Sequence, residues 1–184
     1  MASALAFVIM IFEFSLPFFP PFLRLDFSDI PALLVGFGLG PFSGLMVVGM
    51  RNLLHLTITA TMGVGELANF LISGTFVLLG SLIFYRTGKA VLGLTVGSFV
   101  MVLSSLLVNL YVVIPLYEIV LDLPFEETIA AAREINPAVS SLNTYLAYVI
   151  VPFNLIKALS VSLLFYPVYS RIQQSKIYNK YQRS

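Results

Sequence analysis

Between Ala90 and about Tyr117 the chain carries no charged residue at all. An α-helix needs roughly 20 apolar residues to cross a hydrocarbon core, and a run of this length has few other uses. Gly65–Tyr85 is also of span length, with Glu66 at its start as its one charged residue, and Asn143–Ile172 is long enough to protrude from a bilayer. Hydrophobic residues make up 59% of the 184 positions, 10% are charged and mean hydropathy is +0.96, whereas soluble domains are about 45–50% apolar and about 25% charged. The chain therefore reads as an all-α integral membrane protein: a multi-pass six-helix bundle with a short second helix, forming one transmembrane domain over 1–184.

The remaining helices follow from breakers and caps. Met1–Leu16 is nearly all apolar and reads as the first helix rather than a cleaved signal peptide, since no basic segment precedes it. It is expected to stop at Pro17, where Pro17-Phe18-Phe19-Pro20-Pro21 favours an extended, aromatic-rich loop. Ser28-Asp29 supplies a cap for a second helix that reaches about Gly38 and is too short to span alone. After Gly40-Pro41 a third runs to His55 or Ile58, and a small polar turn at Thr59–Gly63 leads into the fourth. The long connection after Tyr117 holds Glu118, Asp122, Glu126, Glu127, Arg133 and Glu134, and its stretch 124–134 suits a short surface helix.

Charge sets an expected orientation. If six helices alternate, Arg86 and Lys89 share one side with Arg171, Lys176, Lys180 and Arg183, and the acidic connection falls opposite. Both termini and the tail 172–184 are accordingly placed in the cytoplasm of a cell-membrane protein. Small residues recur at helical spacing, as Gly36, Gly40 and Gly44, as Gly93 and Gly97, and as Ala2 and Ala6. Such steps let helices approach closely, and packing within the bundle is the default reading for the glycines.

Several chemistries are excluded by absence. There is no cysteine, no phosphate-binding P-loop, no H-E-x-x-H and no G-x-S-x-G, so no metal site, cofactor or catalytic nucleophile is expected and the chain is not read as an enzyme. A net charge of +1 provides no field for nucleic acid.

Polar groups at membrane depth carry the functional signal, because hydrocarbon penalises them unless they face a cavity or a partner. Asn154 and Lys157 lie three apart on one face of the last helix. They fit a polar ligand; the competing readings for Lys157 are pairing with a buried carboxylate or snorkelling to the interface. Asn109 suits either a ligand or an interhelical hydrogen bond. Glu66 and Asn69 open the fourth helix, where Glu66 matches the helix dipole. His55 reads as an interfacial residue without a partner, and Arg24 and Arg51 as snorkelling helix-end cations. Leu25 and Phe27, with Phe18, Phe19 and Phe22, form a loop that suits either a planar ligand or the lipid interface.

Four segments together carry a resemblance: Leu25-Asp26-Phe27-Ser28-Asp29-Ile30-Pro31-Ala32-Leu33, Gly40-Pro41, Gly65-Glu66-Leu67-Ala68-Asn69-Phe70 and Pro152-Phe153-Asn154-Leu155-Ile156-Lys157. Over essentially its whole length the chain resembles the riboflavin-binding S components of energy-coupling factor (ECF) transporters. The resemblance implies a subunit that takes riboflavin, as cargo rather than cofactor, from outside and is emptied by a T component and two cytoplasmic ATPases. It implies Asn154, Lys157 and Asn109 as ligand-binding residues and makes Ala2 and Ala6 contacts for the T component; Asn69, Glu66, Leu25 and Phe27 complete the expected ligand-binding set. The chain departs from the family pattern in its long acidic connection. An S component for a different vitamin is the alternative; a structural membrane protein is the reading outside transport.

Overall fold

The computed structural model describes residues 1–175. Among them the helices are α1 (Ala2–Ile11), α2 (Asp29–Leu39), α3 (Pro41–His55, with a 3-10 turn at Leu56–Ile58), α4 (Val64–Thr87), α5 (Ala90–Val120), α6 (Phe125–Ile135) and α7 (Leu142–Gln174). Six pack as a bundle, and α6 is the expected surface helix. Only α4, α5 and α7 are individually long and apolar enough to cross a membrane. The expected tail residues Lys176, Lys180 and Arg183 lie outside the described residues.

The first helix is shorter than its hydropathy suggests. It ends at Ile11 because Phe14–Ser15 (β1) leaves the helix to pair antiparallel with Arg24–Leu25 (β2), with Phe14 opposite Leu25 and Ser15 opposite Arg24. Glu13 and Arg24 add an ion pair at 3.0 Å beside that ladder. The start of α2 also differs from expectation. Ser28 makes no side-chain cap; its hydroxyl and its N–H both donate to the carboxylate of Asp26. Between α2 and α3 the chain turns at Gly40, whose φ of +113° is open only to glycine, and Pro41 restarts the helix.

Two helices are interrupted in the same way. Asn109–Val113 in α5 and Leu146–Ile150 in α7 are π-helical, and each segment ends two residues before a proline, Pro115 or Pro152. A proline ring clashes with the carbonyl four residues back, and widening the turn moves that carbonyl aside. Both wide turns sit at the same end of the bundle.

Glycines let the helices touch, as the small-residue spacing predicts. A Cβ on Gly44 would come within 2.8 Å of Gly36 Cα, locking α3 onto α2, and one on Gly93 within 2.5 Å of the Gly80 carbonyl oxygen, where α5 meets α4. Backbone cannot swing away as a side chain can. Gly93→Ala is expected to lower the thermal unfolding temperature in detergent, an overpacking loss of about 1–3 kcal/mol. Phe37 stacks on Phe84 at 4.3 Å with Phe165 and Tyr169 edge-on, which closes the end of the bundle opposite the wide turns.

The alanine step of α1 points inward. Ala6 is fully buried in the core and Ala2 packs against it, while Leu5, Val8 and Phe12 form the exposed stripe. A partner contact through Ala2 and Ala6, as the resemblance implies, therefore requires α1 to shift from this position.

Candidate functional site

The connections bring the start of α4, the wide turn of α5, the first half of α7, the β2 strand and α6 together at one end of the bundle. They enclose a cavity whose walls include Asn69, Asn109, Asn154 and Lys157. The cavity volume is about 120 Å³, below the roughly 300–1,000 Å³ of sites that enclose a drug-sized ligand, so a ligand of that size requires the surrounding loops to move apart. Four of the seven expected ligand residues thus converge from three helices.

Each polar group is held in a defined state. The Asn109 amide donates to the Ser105 carbonyl at 2.8 Å and that of Asn154 to the Ile150 carbonyl at 2.9 Å, both four residues back. The amide oxygens are thereby left as the accepting groups. Lys157 is 4% exposed and donates to Asp26 at 2.9 Å. An ammonium has three N–H donors, so two remain for the cavity. Of the three readings for Lys157, pairing with a buried carboxylate holds, and it is compatible with a further role.

Asp26 is 1% exposed. Its burial alone would raise the carboxyl pKa, but the charges of Lys157 and Arg51 and the Ser28 hydroxyl outweigh that and hold it well below the usual carboxylate range. The carboxylate therefore stays ionised, and it ties the loop before α2 to the middle of α7.

A second buried pair stands behind the cavity. Arg51 is not a snorkelling residue: it has no exposed surface and donates to Asp29 at 2.6 Å and to the Asn69 oxygen at 3.0 Å, while Ser73 donates to the other Asp29 oxygen at 3.1 Å. Arg51 thus orients the Asn69 side chain that lines the wall. Arg24 does stay half exposed, paired with Glu13.

Three expected site residues lie elsewhere. Glu66 accepts from Thr59 and Thr61 and meets His55 Nδ1 at 2.8 Å, so His55 is not the unpartnered interfacial residue expected, and Glu66 faces the α3–α4 connection rather than the cavity. Leu25 is buried in β2 opposite Phe14, and Phe27 packs on the core with its ring 6.2 Å from that of Phe14. The apolar walls come instead from Phe22, Met101, Tyr117, Tyr145 and Phe153, with Phe125 and Thr128 from α6 closing one side. Phe19 braces Phe153 edge-on at 5.5 Å. The long acidic connection is therefore part of the site. Pro115 and Pro152 were the signals available for Tyr117 and Phe153, because each marks the wide turn beside them.

A multi-pass bundle that encloses a cavity with a few polar groups among apolar walls has the architecture of a membrane protein that holds a small molecule between its helices. The chain belongs to the substrate-specific components of ECF transporters, a family of membrane transport components whose family profile matches residues 1–169. Among its relatives, "Riboflavin transporter RibU" of Staphylococcus aureus (strain TCH60) is 34% identical over 94% of this chain and 86% of the relative. "Riboflavin transporter FmnP" of Bacillus subtilis (strain 168) is 29% identical over 94% and 88%. A solved structure described as the S component of a bacterial ECF transporter superposes with a TM-score of 0.73 at 32% identity, over 94% of this chain and 90% of the other. These homologues are transporters, and the chain is a transport component rather than an enzyme.

Proposed function

We propose that this chain binds riboflavin in the cavity between α4, α5 and α7 and delivers it inward together with a T component and two ATPases. The observation that carries the reading is the pairing of chemistries around one space. Lys157 offers two N–H donors and Asn109 and Asn154 two carbonyl acceptors, set among the rings of Phe22, Tyr117, Tyr145 and Phe153. Isoalloxazine is a flat aromatic system with hydrogen-bonding groups along one edge, and its ribityl chain carries hydroxyls. Apolar walls suit its faces, and the fixed amides and ammonium suit its edge and tail. The names of the relatives add independent support.

The cavity end is proposed to face outward and both termini the cytoplasm. Arg86, Lys89 and Arg171 cluster at the end opposite the cavity, as cytoplasmic loops require. No phosphate-binding loop occurs in this chain, so ATP hydrolysis falls to the partner subunits.

Titration of purified protein with riboflavin, followed by flavin fluorescence, tests the reading. Saturable 1:1 quenching is expected, and Asn154→Leu, which keeps the size but removes the acceptor, is expected to weaken it about tenfold, the worth of one hydrogen bond. Absence of quenching, with thermal protection by another vitamin instead, would move the assignment to a different cargo. Riboflavin phosphate in a parallel titration reports whether the ribityl end tolerates the negative charge of a phosphate.

A further inference from the structure

Away from the cavity, α5 and α7 do not close against each other along their whole length. Leu94, Thr95, Ser98, Leu159, Ser162 and Tyr166 line an apolar groove on the outer surface of the bundle. The groove stays open because small side chains face each other there, with the Ser98 and Ser162 hydroxyls 3.4 Å apart. Thr95 and Tyr166 are shared with a second, more polar depression lined by Lys89, Ser170 and Gln173, so the two form one channel.

We propose that this channel is a binding site for one anionic phospholipid, its acyl chain in the apolar part and its phosphate at Lys89. Length supports the occupant. From Leu155 to Tyr166 the apolar part follows α7 for about 16 Å at 1.5 Å per residue, close to one leaflet of a hydrocarbon core about 30 Å thick. The polar part begins where that leaflet would end.

Charge decides between lipid classes. All nine carboxylate residues of the chain belong to segments at the cavity end: Glu13, Asp26 and Asp29 around the first loop, Glu66 at the start of α4, and the other five beyond Tyr117. The end bearing Lys89 has Arg86 and Arg171 as well, and none of the ion pairs among the described residues uses any of these three. A zwitterionic headgroup would bring its own cation into this field. An anionic one brings only what the field attracts. A transmembrane helix of a partner protein has no need of a cation at the leaflet boundary, which places it second. The inference is independent of the flavin reading, since no residue of the channel lines the cavity.

The test measures binding of phosphatidylglycerol and of phosphatidylcholine to the purified full chain in detergent, by native mass spectrometry with thermal stabilisation in parallel. Phosphatidylglycerol is expected to bind the more tightly. Lys89→Gln, an exposed substitution that leaves the packing alone, is expected to weaken phosphatidylglycerol about fivefold, the effect of one cation near a membrane surface, and to leave phosphatidylcholine unchanged. Ser162→Trp fills the channel and is expected to remove both. Equal binding of the two lipids, or a preference untouched by Lys89→Gln, would overturn the proposal. Phosphatidylglycerol retained by a folded Ser162→Trp protein would overturn it too, leaving the groove to a protein partner.

Discussion

Asp29→Ala is expected to cost about 3–5 kcal/mol, because it leaves the Arg51 guanidinium charged and without its carboxylate in the interior. Arg51 has no exposed surface, its Nε and Nη1 already lack partners among the described residues, and the other carboxylate that feels its charge, Asp26, is already paired with Lys157. The loss should appear as a fall in the thermal unfolding temperature, or as protein that fails to elute as a single species. Removing both charges is the informative control. In Asp29→Leu/Arg51→Met the buried ion is gone, and most of the stability is expected to return, since apolar replacement of a buried pair is often neutral. Flavin binding should return less completely, because Asn69 loses the donor that orients it. A single Asp29→Ala protein as stable as the parent would mean that water reaches Arg51.

Asp26→Asn acts on the cavity itself. The Asn side chain retains an oxygen for the Ser28 donors, but Lys157 loses its counter-charge at 4% exposure. Riboflavin affinity is expected to fall by more than tenfold, as both the charge and the position of the Lys157 donors depend on that carboxylate. The same residue gives a pH signature. Its folded-state pKa lies below the unfolded value of about 3.9, so the ionised pair contributes stability that is fully present above that value and is lost as pH falls towards the folded one. Thermal stability is therefore expected to show no pH dependence from Asp26 between pH 5 and pH 7, where its contribution is complete, and a decline below about pH 4. That component should be absent from Asp26→Asn. A parent and variant with parallel profiles down to pH 3 would remove Asp26 as its source.

The resemblance and the residue pattern found different parts of this site. Asn154 and Lys157 were legible because three residues is less than one helical turn, so their common face follows from helix geometry alone. Asn109 was legible as an amide in an otherwise apolar run. The partner of Lys157 was not, since Asp26 lies 131 positions away in a loop. Arg51 with Asp29 and His55 with Glu66 have the same character, being 22 and 11 positions apart on different elements. Hydropathy treats a lone buried cation and a paired one alike. It also counted Phe12, Phe14 and Leu16 as helix, because a two-residue β-ladder has no period long enough to register.

By itself, then, the sequence determined the solvent and the rods: uncharged runs of span length make membrane helices whatever surrounds them, because hydrocarbon leaves backbone N–H and C=O groups no other partner. It also marked the polar exceptions, which the same solvent makes costly. Only the tertiary structure decided which exceptions face a shared space, as Asn69, Asn109, Asn154 and Lys157 do, and which neutralise one another behind it, as Arg51 and Asp29 do. Ion pairing falls off over a few ångströms, and where loops return a distant residue is set by the packing of the whole bundle rather than by any local pattern.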